Sequence, residues 1–216
     1  MACRRILEAK YKLGLFDNPY KYCDVKRAKK QIFTKEHRAV ARKIASESLV
    51  LLKNEGNVLP LAKKGTIAVV GPLADSRSNM PGTWSVAAVL KNATSLAEGL
   101  KAVAGGKAEI LTAKGCNLMS DAEYEKRATM FGRSLHRDNR SDKELLDEAL
   151  AVAAKSDVIV AALGESSEMS GESSCRTNLE MTDTQRILLQ ELLKTGKPVV
   201  LVLFTGRPLV LNLSLI

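Results

Sequence analysis

The sequence predicts an α/β fold, a three-layer sandwich built on a mainly parallel sheet and preceded by a helical linker. Three continuous apolar runs, at residues 66–70, 157–163 and 199–204, have the length and composition of strands buried on both faces. Segments with apolar residues at helical spacing lie between these runs. Strands and helices that alternate in this way form βαβ units, which assemble into parallel sheets with right-handed crossovers.

The elements between the apolar runs are predicted from their spacing and their caps. A helix is expected over residues 95–103 and a short strand over 108–112, whereas the polar stretch 118–140 is poorly periodic and is expected to be an excursion. Ser141 begins a helix with a Ser-x-x-Glu capping box. A further helix over 182–193 is expected to join the last two apolar runs.

The first third of the chain has the pattern of a connector rather than of a core. Residues 2–16 carry apolar positions at helical spacing, and residues 23–33 are expected to be connecting structure. Thr34 is a candidate N-cap for a second helix that runs to about Lys53. We therefore expect a helical segment and linker over residues 1–64.

The domain that follows, residues 65–216, is expected to be incomplete at its C-terminus. Residues 208–216 are apolar up to the last position, and no closing helix follows them. An uncovered strand edge of this kind promotes aggregation. We therefore expect either that a partner covers the edge or that the natural protein continues beyond it.

Composition disfavours several classes of protein. The formal net charge is +9, but the basic residues are densest in helical-looking stretches before Lys64, a pattern that favours solvated helix faces, so no nucleic-acid partner is expected. No stretch approaches the ~18 consecutive apolar residues of a membrane span, and the N-terminus lacks the apolar core of a signal peptide. The four cysteines are scattered without a CxxC pair, so no metal site is expected and the redox compartment stays open.

Ligands of an open parallel sheet bind beyond the carboxyl ends of its strands, which selects the loops after the apolar runs. The first of these loops begins at Gly71-Pro72 and lacks the glycine spacing of a dinucleotide or phosphate loop, so no cofactor is expected. It also holds Trp84, the only tryptophan. Trp84 either stacks on the apolar face of a sugar or is a structural tryptophan pinned under its loop, and the pattern alone favours neither.

The loop over residues 164–176 places three carboxylates and one arginine among small residues. A general acid for glycoside cleavage needs a carboxyl group whose pKa is tuned by burial and by a second carboxylate. Glu165 lies directly at the strand end, where a carboxylate more often caps backbone donors than performs chemistry. Periodicity does not choose between Glu168 and Glu172, and a solvated acidic loop is the alternative to both.

The order and spacing of several motifs resemble the C-terminal half of family 3 glycoside hydrolases, in particular bacterial β-glucosidases of the periplasmic type. The resemblance runs nearly from end to end of the chain. Each motif is weak alone, and their order makes them specific. The motifs lie at residues 4–16, 45–54, 59–61, 69–75, 82–84, 164–165, 172–176, 196–203 and 206–209.

In that family, substrate lies between an N-terminal (β/α)8 barrel, which supplies an aspartate nucleophile, and an α/β sandwich, which supplies a glutamate acid/base. The resemblance implies that Glu172 is the catalytic acid/base rather than Glu168, in a Met-x-x-Glu-x-Ser-x-Arg arrangement. It also implies that Trp84, Met169 and Arg176 bind substrate, with Trp84 on the aglycone side.

The resemblance therefore implies a fragment of a retaining β-glucosidase that acts on β-glucosides or short oligosaccharides and is periplasmic or secreted in its full-length form. Its partner would be the missing barrel of the same protein. The nucleophile motif has no counterpart here, so the isolated chain is expected to be inactive. The alternative is a non-catalytic carbohydrate-binding or interaction module with the same fold.

Overall fold

A computed structural model describes residues 1–85, 87–127, 136–172 and 174–211. The chain divides into two compact units, Met1–Glu55 and Gly56–Ile216. The predicted division between residues 64 and 65 stays a prediction about the domains of the natural protein. Part of the predicted excursion (128–135) and the last five positions of the apolar C-terminal segment (212–216) lie outside the described residues.

The first unit contains three helices: α1 (Ala2–Lys12), α2 (Val25–Gln31) and α3 (Lys35–Ser48). The first predicted helix is confirmed, although it ends before Gly14, whose φ of 72° is left-handed. The prediction of connecting structure over residues 23–33 was wrong, because α2 lies there. Asp24 caps this helix, since its carboxylate accepts hydrogen bonds from the backbone N–H groups of Lys26 and Arg27.

The second predicted helix is confirmed as α3, with its start at the predicted cap. The Thr34 hydroxyl accepts the His37 backbone N–H at 3.2 Å. The helix ends at Ser48 rather than near Lys53, because Leu49 adopts an extended conformation. Residues 49–52 are apolar at every position and so lack the polar face of a surface helix.

The second unit is built on four parallel strands: β1 (Thr66–Val70), β2 (Glu109–Ala113), β3 (Val158–Gly164) and β4 (Val199–Phe204). Their order in the sheet is β2-β1-β3-β4. The three apolar runs and the short predicted strand are confirmed within a residue or so at each end. β3 is almost wholly buried at the centre of the sheet, whereas the residues of the outer strand β4 are half-buried.

Helices cover both faces of this sheet, and the predicted three-layer arrangement is confirmed. Because successive strand residues point to opposite faces, Ala68 packs in one core cluster and Val69 in the other. The first cluster also includes Leu188 and the second includes Ala97, both from helices. The helices of this unit are α4 (Leu96–Ala104), α5 (Ala122–Arg127), α6 (Asp142–Ala154) and α7 (Asp183–Lys194).

Local caps set the starts of two of these helices. The predicted capping box at Ser141 is confirmed: its backbone N–H donates to Glu144 at 2.9 Å, and its hydroxyl accepts the Glu144 N–H at 3.3 Å. Ser95 and Glu98 form the same arrangement at the start of α4. The short helix α5 lies inside the stretch predicted to be an irregular excursion.

Candidate active site

The carboxyl ends of β1, β3 and β4 bring three loops together at one edge of the sheet: residues 71–85, 164–176 and 205–207. The Asn79 side-chain oxygen accepts the Ser167 backbone N–H at 2.9 Å, which joins the first loop to the second. This edge is where open parallel sheets bind their ligands.

Two glycines let the chain leave the sheet at this edge. Gly71 has a φ of 128° and Gly164 a φ of 125°, a region that residues with a side chain rarely adopt. A Cβ atom on Gly164 would lie 1.9 Å from the Phe204 carbonyl oxygen. The loop that follows β3 can therefore start flush against β4 only because residue 164 has no side chain.

Glu165 is the first residue of that loop, and its side chain is only 1% exposed. Its Oε1 lies 2.9 Å from Nη1 of Arg176 and 3.2 Å from Nε of Arg207. Its Oε2 accepts hydrogen bonds from the Thr205 hydroxyl at 3.2 Å and the Gly206 backbone N–H at 3.4 Å. The expected capping of a backbone donor is thus seen only at the Gly206 N–H. The other contacts of the carboxylate are mainly with the guanidinium groups of Arg176 and Arg207.

The two arginines also hold backbone carbonyls of the surrounding chain. Nη2 of Arg176 donates to the Glu180 carbonyl at 2.7 Å, and Nη2 of Arg207 donates to the Met169 carbonyl at 2.5 Å. The Nε of Arg207 finds no aligned hydrogen-bond acceptor among the described residues, so its attraction to Glu165 is ionic rather than directional. A single buried carboxylate therefore organises both arginines.

The remaining carboxylates of the loop differ sharply in exposure. Glu168 is 1% exposed and lies in a short 3₁₀ turn, Ser167–Ser170, and its carbonyl accepts the Ser174 hydroxyl at 2.6 Å. Glu172 is exposed, two residues beyond the turn. The structure thus separates two carboxylates that periodicity left equivalent.

Met169 and Arg176, both predicted to bind substrate, point their side chains inward in this chain. Met169 is 4% exposed and packs in the core, where its sulfur accepts the Ser166 N–H at 3.4 Å. The Arg176 side chain is 12% exposed and paired with Glu165. Direct contact of these two side chains with a ligand stays a prediction, and the visible role of both is to hold the loop.

Trp84 is 69% exposed and is therefore not buried beneath its own loop. The preceding residue, Thr83, is buried and its hydroxyl donates to the Ser167 carbonyl. A Cβ on Gly171 would lie 2.3 Å from the Thr83 methyl carbon, so the two loops are in close contact. The tryptophan is thereby carried on a segment that packs against the loop of Glu172.

Two residues of this site, Arg207 and Gln185, had no predicted role. Arg207 lies in one of the loops that follow the carboxyl ends of the strands, where ligands are expected, but no neighbouring residue in the sequence indicates that it has a buried partner. Gln185 is fully buried on α7 and bonds to Gly164. Its position three residues before Leu188 and four before Leu189 places it on the inward face of the helix, and that spacing is the signal that could have revealed it.

No helix in the described part of the chain is long and apolar enough to cross a membrane. Within the same ranges, no group of three or more His, Cys, Asp or Glu side chains is placed to hold a metal ion.

Known proteins with similar sequences are glycosidases. The periplasmic beta-glucosidase of Salmonella typhimurium is 43% identical over 213 residues, which are 97% of this chain and 28% of that protein. A beta-xylosidase of Formosa agariphila is 36% identical over 98% of this chain and 27% of its own length. This chain thus spans about a quarter of the curated relatives that it matches.

Solved structures that resemble this chain are also of β-glucosidases. The crystal structure of a beta-glucosidase from Listeria innocua in complex with glucose superposes with a TM-score of 0.72 at 35% identity, over 95% of this chain and 24% of that one. The glycosyl hydrolase family 3 C-terminal domain matches residues 49–214. The parallel sheet, the strand-end loops and these matches agree with the resemblance seen in the motifs, and the chain belongs to glycosyl hydrolase family 3, whose C-terminal domain it contains.

Proposed function

We propose that this chain is the acid/base-supplying part of a retaining β-glycosidase that hydrolyses the O-glycosidic bonds of β-glucosides or short oligosaccharides. The observation that carries the proposal is the exposure of Glu172 at the ligand-binding edge of the sheet, on a loop whose other carboxylates, Glu165 and Glu168, are buried. A general acid must reach the leaving oxygen of its substrate, and an exposed carboxyl group meets that requirement.

In the proposed reaction, Glu172 donates a proton to the glycosidic oxygen while a carboxylate nucleophile attacks the anomeric carbon. The bond between the anomeric carbon and the glycosidic oxygen breaks, the aglycone leaves as an alcohol, and a glycosyl-enzyme remains. The Glu172 carboxylate then takes a proton from the water that attacks the same carbon, which releases the sugar. This chemistry needs two carboxyl groups ~5–5.5 Å apart, and we infer that the nucleophile comes from a (β/α)8 barrel outside this chain.

Trp84 supports a sugar ligand at the same edge. Its exposed indole lies on a loop that is hydrogen-bonded to the loop of Glu172 through Thr83 and Ser167. An indole face packs well against the apolar face of a pyranose ring. We propose that Trp84 binds the aglycone side of the substrate.

We propose that the full-length protein is periplasmic or secreted. The support for this proposal is that a relative 43% identical to this chain carries the name periplasmic beta-glucosidase. Fractionation of cells that express the full-length protein tests this location, and a purely cytosolic pool would contradict it.

The central experiment is a chimera in which this chain replaces the matching segment of the Salmonella typhimurium relative. We expect the chimera to hydrolyse aryl and alkyl β-glucosides. In Glu172→Ala, kcat/KM for an alkyl glucoside should fall by about 10²–10⁴-fold, because its poor leaving group needs general acid catalysis. The dinitrophenolate group of a dinitrophenyl glucoside departs without being protonated, so kcat/KM for that substrate should fall much less.

Azide provides a second readout for Glu172. It attacks the glycosyl-enzyme without a general base, so we expect added azide to restore turnover of the dinitrophenyl glucoside by Glu172→Ala and to yield a β-glucosyl azide. Glu168→Gln serves as the matched control and should show neither effect. A chimera that folds but is inactive, or a leaving-group effect that follows Glu168 instead, would contradict the proposal.

A second candidate function, a non-catalytic carbohydrate-binding module, is favoured by the exposed Trp84. It predicts that the chimera shows no Glu172-dependent turnover while this chain alone binds cello-oligosaccharides, with affinity lost in Trp84→Ala. The catalytic proposal predicts instead that this chain alone has no measurable glucosidase activity, since it lacks the nucleophile.

A further inference from the structure

Several of the contacts that hold the loop of Glu172 pass through one buried carboxylate, that of Glu165. Glu165, at the start of the loop, pairs with Arg176 at its end, so the loop is closed by a charged hydrogen bond of 2.9 Å. The same oxygen attracts Arg207, which donates at 2.5 Å to the carbonyl of Met169 in the middle of the loop. Glu165 therefore controls the start, middle and end of the segment.

The charge balance of this cluster makes the carboxylate essential to its geometry. Two guanidinium groups approach one carboxylate oxygen, and the side chains of Arg176 and Arg207 are only 12% and 19% exposed. Like charges in a partly desolvated site repel strongly unless an opposite charge lies between them. Without that negative charge the two arginines should separate, and their hold on the Met169 and Glu180 carbonyls should change with them.

We propose that Glu165 is a positioning residue for the acid/base Glu172, acting through Arg176 and Arg207. This inference rests on the proposed function. Glu165 itself is buried, and the contacts of its carboxylate are with Arg176, Arg207, Thr205 and Gly206. Its carboxylate fixes the path of the backbone on both sides of Glu172, and a displacement of about 1 Å in a catalytic group costs up to ~10²-fold in rate.

The leaving group of the substrate distinguishes positioning from general stability. A misplaced acid slows cleavage of an alkyl glucoside, which needs protonation, more than that of a dinitrophenyl glucoside, which does not. The ratio of the two kcat/KM values does not depend on the fraction of enzyme that is folded, because both substrates are turned over by the same active molecules. Loss of stability alone leaves this ratio unchanged.

The test uses the Salmonella typhimurium chimera with Glu165→Gln, which keeps the shape of the side chain and removes its charge. We expect kcat/KM for the alkyl glucoside to fall about 10- to 100-fold more than that for the dinitrophenyl glucoside, mainly through kcat. Arg207→Met is a second variant that leaves the Glu165–Arg176 pair in place, and we expect a leaving-group effect of the same sign. Asp147→Asn, which removes a carboxylate from an exposed pair on α6, is the matched control and should leave the ratio unchanged.

Each outcome bears on one of the two proposals. If Glu172→Ala shows the leaving-group effect and both Glu165→Gln and Arg207→Met lose activity equally on the two substrates, the positioning role is overturned and the proposed function stands. If Glu172→Ala shows no such effect, the proposed function itself fails. If Glu165→Gln does not fold, Arg207→Met decides the positioning role alone.

Discussion

The side-chain amide of Gln185 bonds to both backbone groups of Gly164. Its Oε1 accepts the Gly164 N–H at 2.7 Å, and its Nε2 donates to the Gly164 carbonyl at 2.8 Å and to the Leu118 carbonyl at 3.1 Å. Gln185 is completely buried. A helix side chain thus satisfies the polar groups of the residue at which β3 ends and the loop of Glu172 begins.

We expect Gln185→Leu to lower the free energy of unfolding by about 3 kcal/mol, because the buried N–H and carbonyl of Gly164 both lose their side-chain partner. The Leu118 carbonyl loses one donor but keeps the Thr182 hydroxyl at 2.7 Å. Urea denaturation of this chain measures the change. Gln190→Leu on the same helix is the control, since that side chain is partly exposed, and it should cost less than about 0.5 kcal/mol. Equal effects of the two substitutions would contradict this role for Gln185.

Two glycines should respond to alanine in opposite directions. Gly164→Ala would place a Cβ 1.9 Å from the Phe204 carbonyl at a φ of 125°, and we expect a loss of more than about 3 kcal/mol. Gly99 lies inside α4, and a Cβ added there would meet no atom within 4 Å, so Gly99→Ala should stabilise the fold by about 0.5–1 kcal/mol. Thermal unfolding of both variants checks the signs, and a stable Gly164→Ala protein would refute the close approach.

The salt bridge between Arg77 and Glu98 predicts a specific pH dependence. Hydrogen bonds from Arg77 first, and from the Ser95 backbone second, lower the pKa of Glu98 to about 2. A carboxylate whose pKa is lower in the folded state stabilises the fold above its unfolded pKa of about 4.3, and that stabilisation is lost as the pH falls toward 2.

We therefore expect Arg77→Met to raise the pKa of Glu98, as measured by an NMR titration of its carboxyl carbon. The difference in melting temperature between the unmodified chain and this variant should be largest above pH ~5 and should shrink as the pH falls toward ~2. Lys107→Met removes an equal charge elsewhere on the surface and should not move the Glu98 titration. A Glu98 pKa unchanged in Arg77→Met would show that the pair does not set it.

The four cysteines should fall into two reactivity classes. Cys3, Cys23 and Cys175 are exposed, whereas Cys116 is buried and desolvation raises its pKa to about 12. Because the thiolate is the nucleophile, we expect iodoacetamide to modify three cysteines of the native chain and the fourth only after unfolding. Mass spectrometry counts the labels, with Cys116→Ala as the control that should still take three. Rapid labelling of Cys116 in the folded protein would contradict its burial.

The strands of the sheet were predicted well from the sequence. A strand buried on both faces consists of consecutive apolar residues, and this pattern is visible without knowledge of the tertiary structure. Periodicity missed α2, because this short helix has only two apolar residues, Val25 and Ala28, and its clearest signal is the N-cap at Asp24. It extended α3 too far because an apolar run such as residues 49–52 fits a helix or an extended segment equally well.

The candidate site was predictable in place but not in detail. The loop of Glu172 was predicted because ligands bind beyond the carboxyl ends of parallel strands, and the family resemblance singled out Glu172 within it. The pairing of Glu165 with Arg207 joins positions about forty residues apart, which no local pattern encodes. The burial of Glu168 likewise depends on tertiary packing. The inward direction of Met169 likewise follows from packing rather than from its own neighbourhood.

The tight packing among the three strand-end loops has a practical consequence for exchanging parts between related enzymes. A Cβ on Gly206 would lie 2.2 Å from the Ser170 hydroxyl, and one on Gly171 would meet Thr83, so each loop leaves room for its neighbours only at specific glycines. A donor loop transplanted alone would collide with the host loops beside it. Specificity engineering on this scaffold should therefore move residues 79–85, 164–176 and 205–207 together, as one cassette.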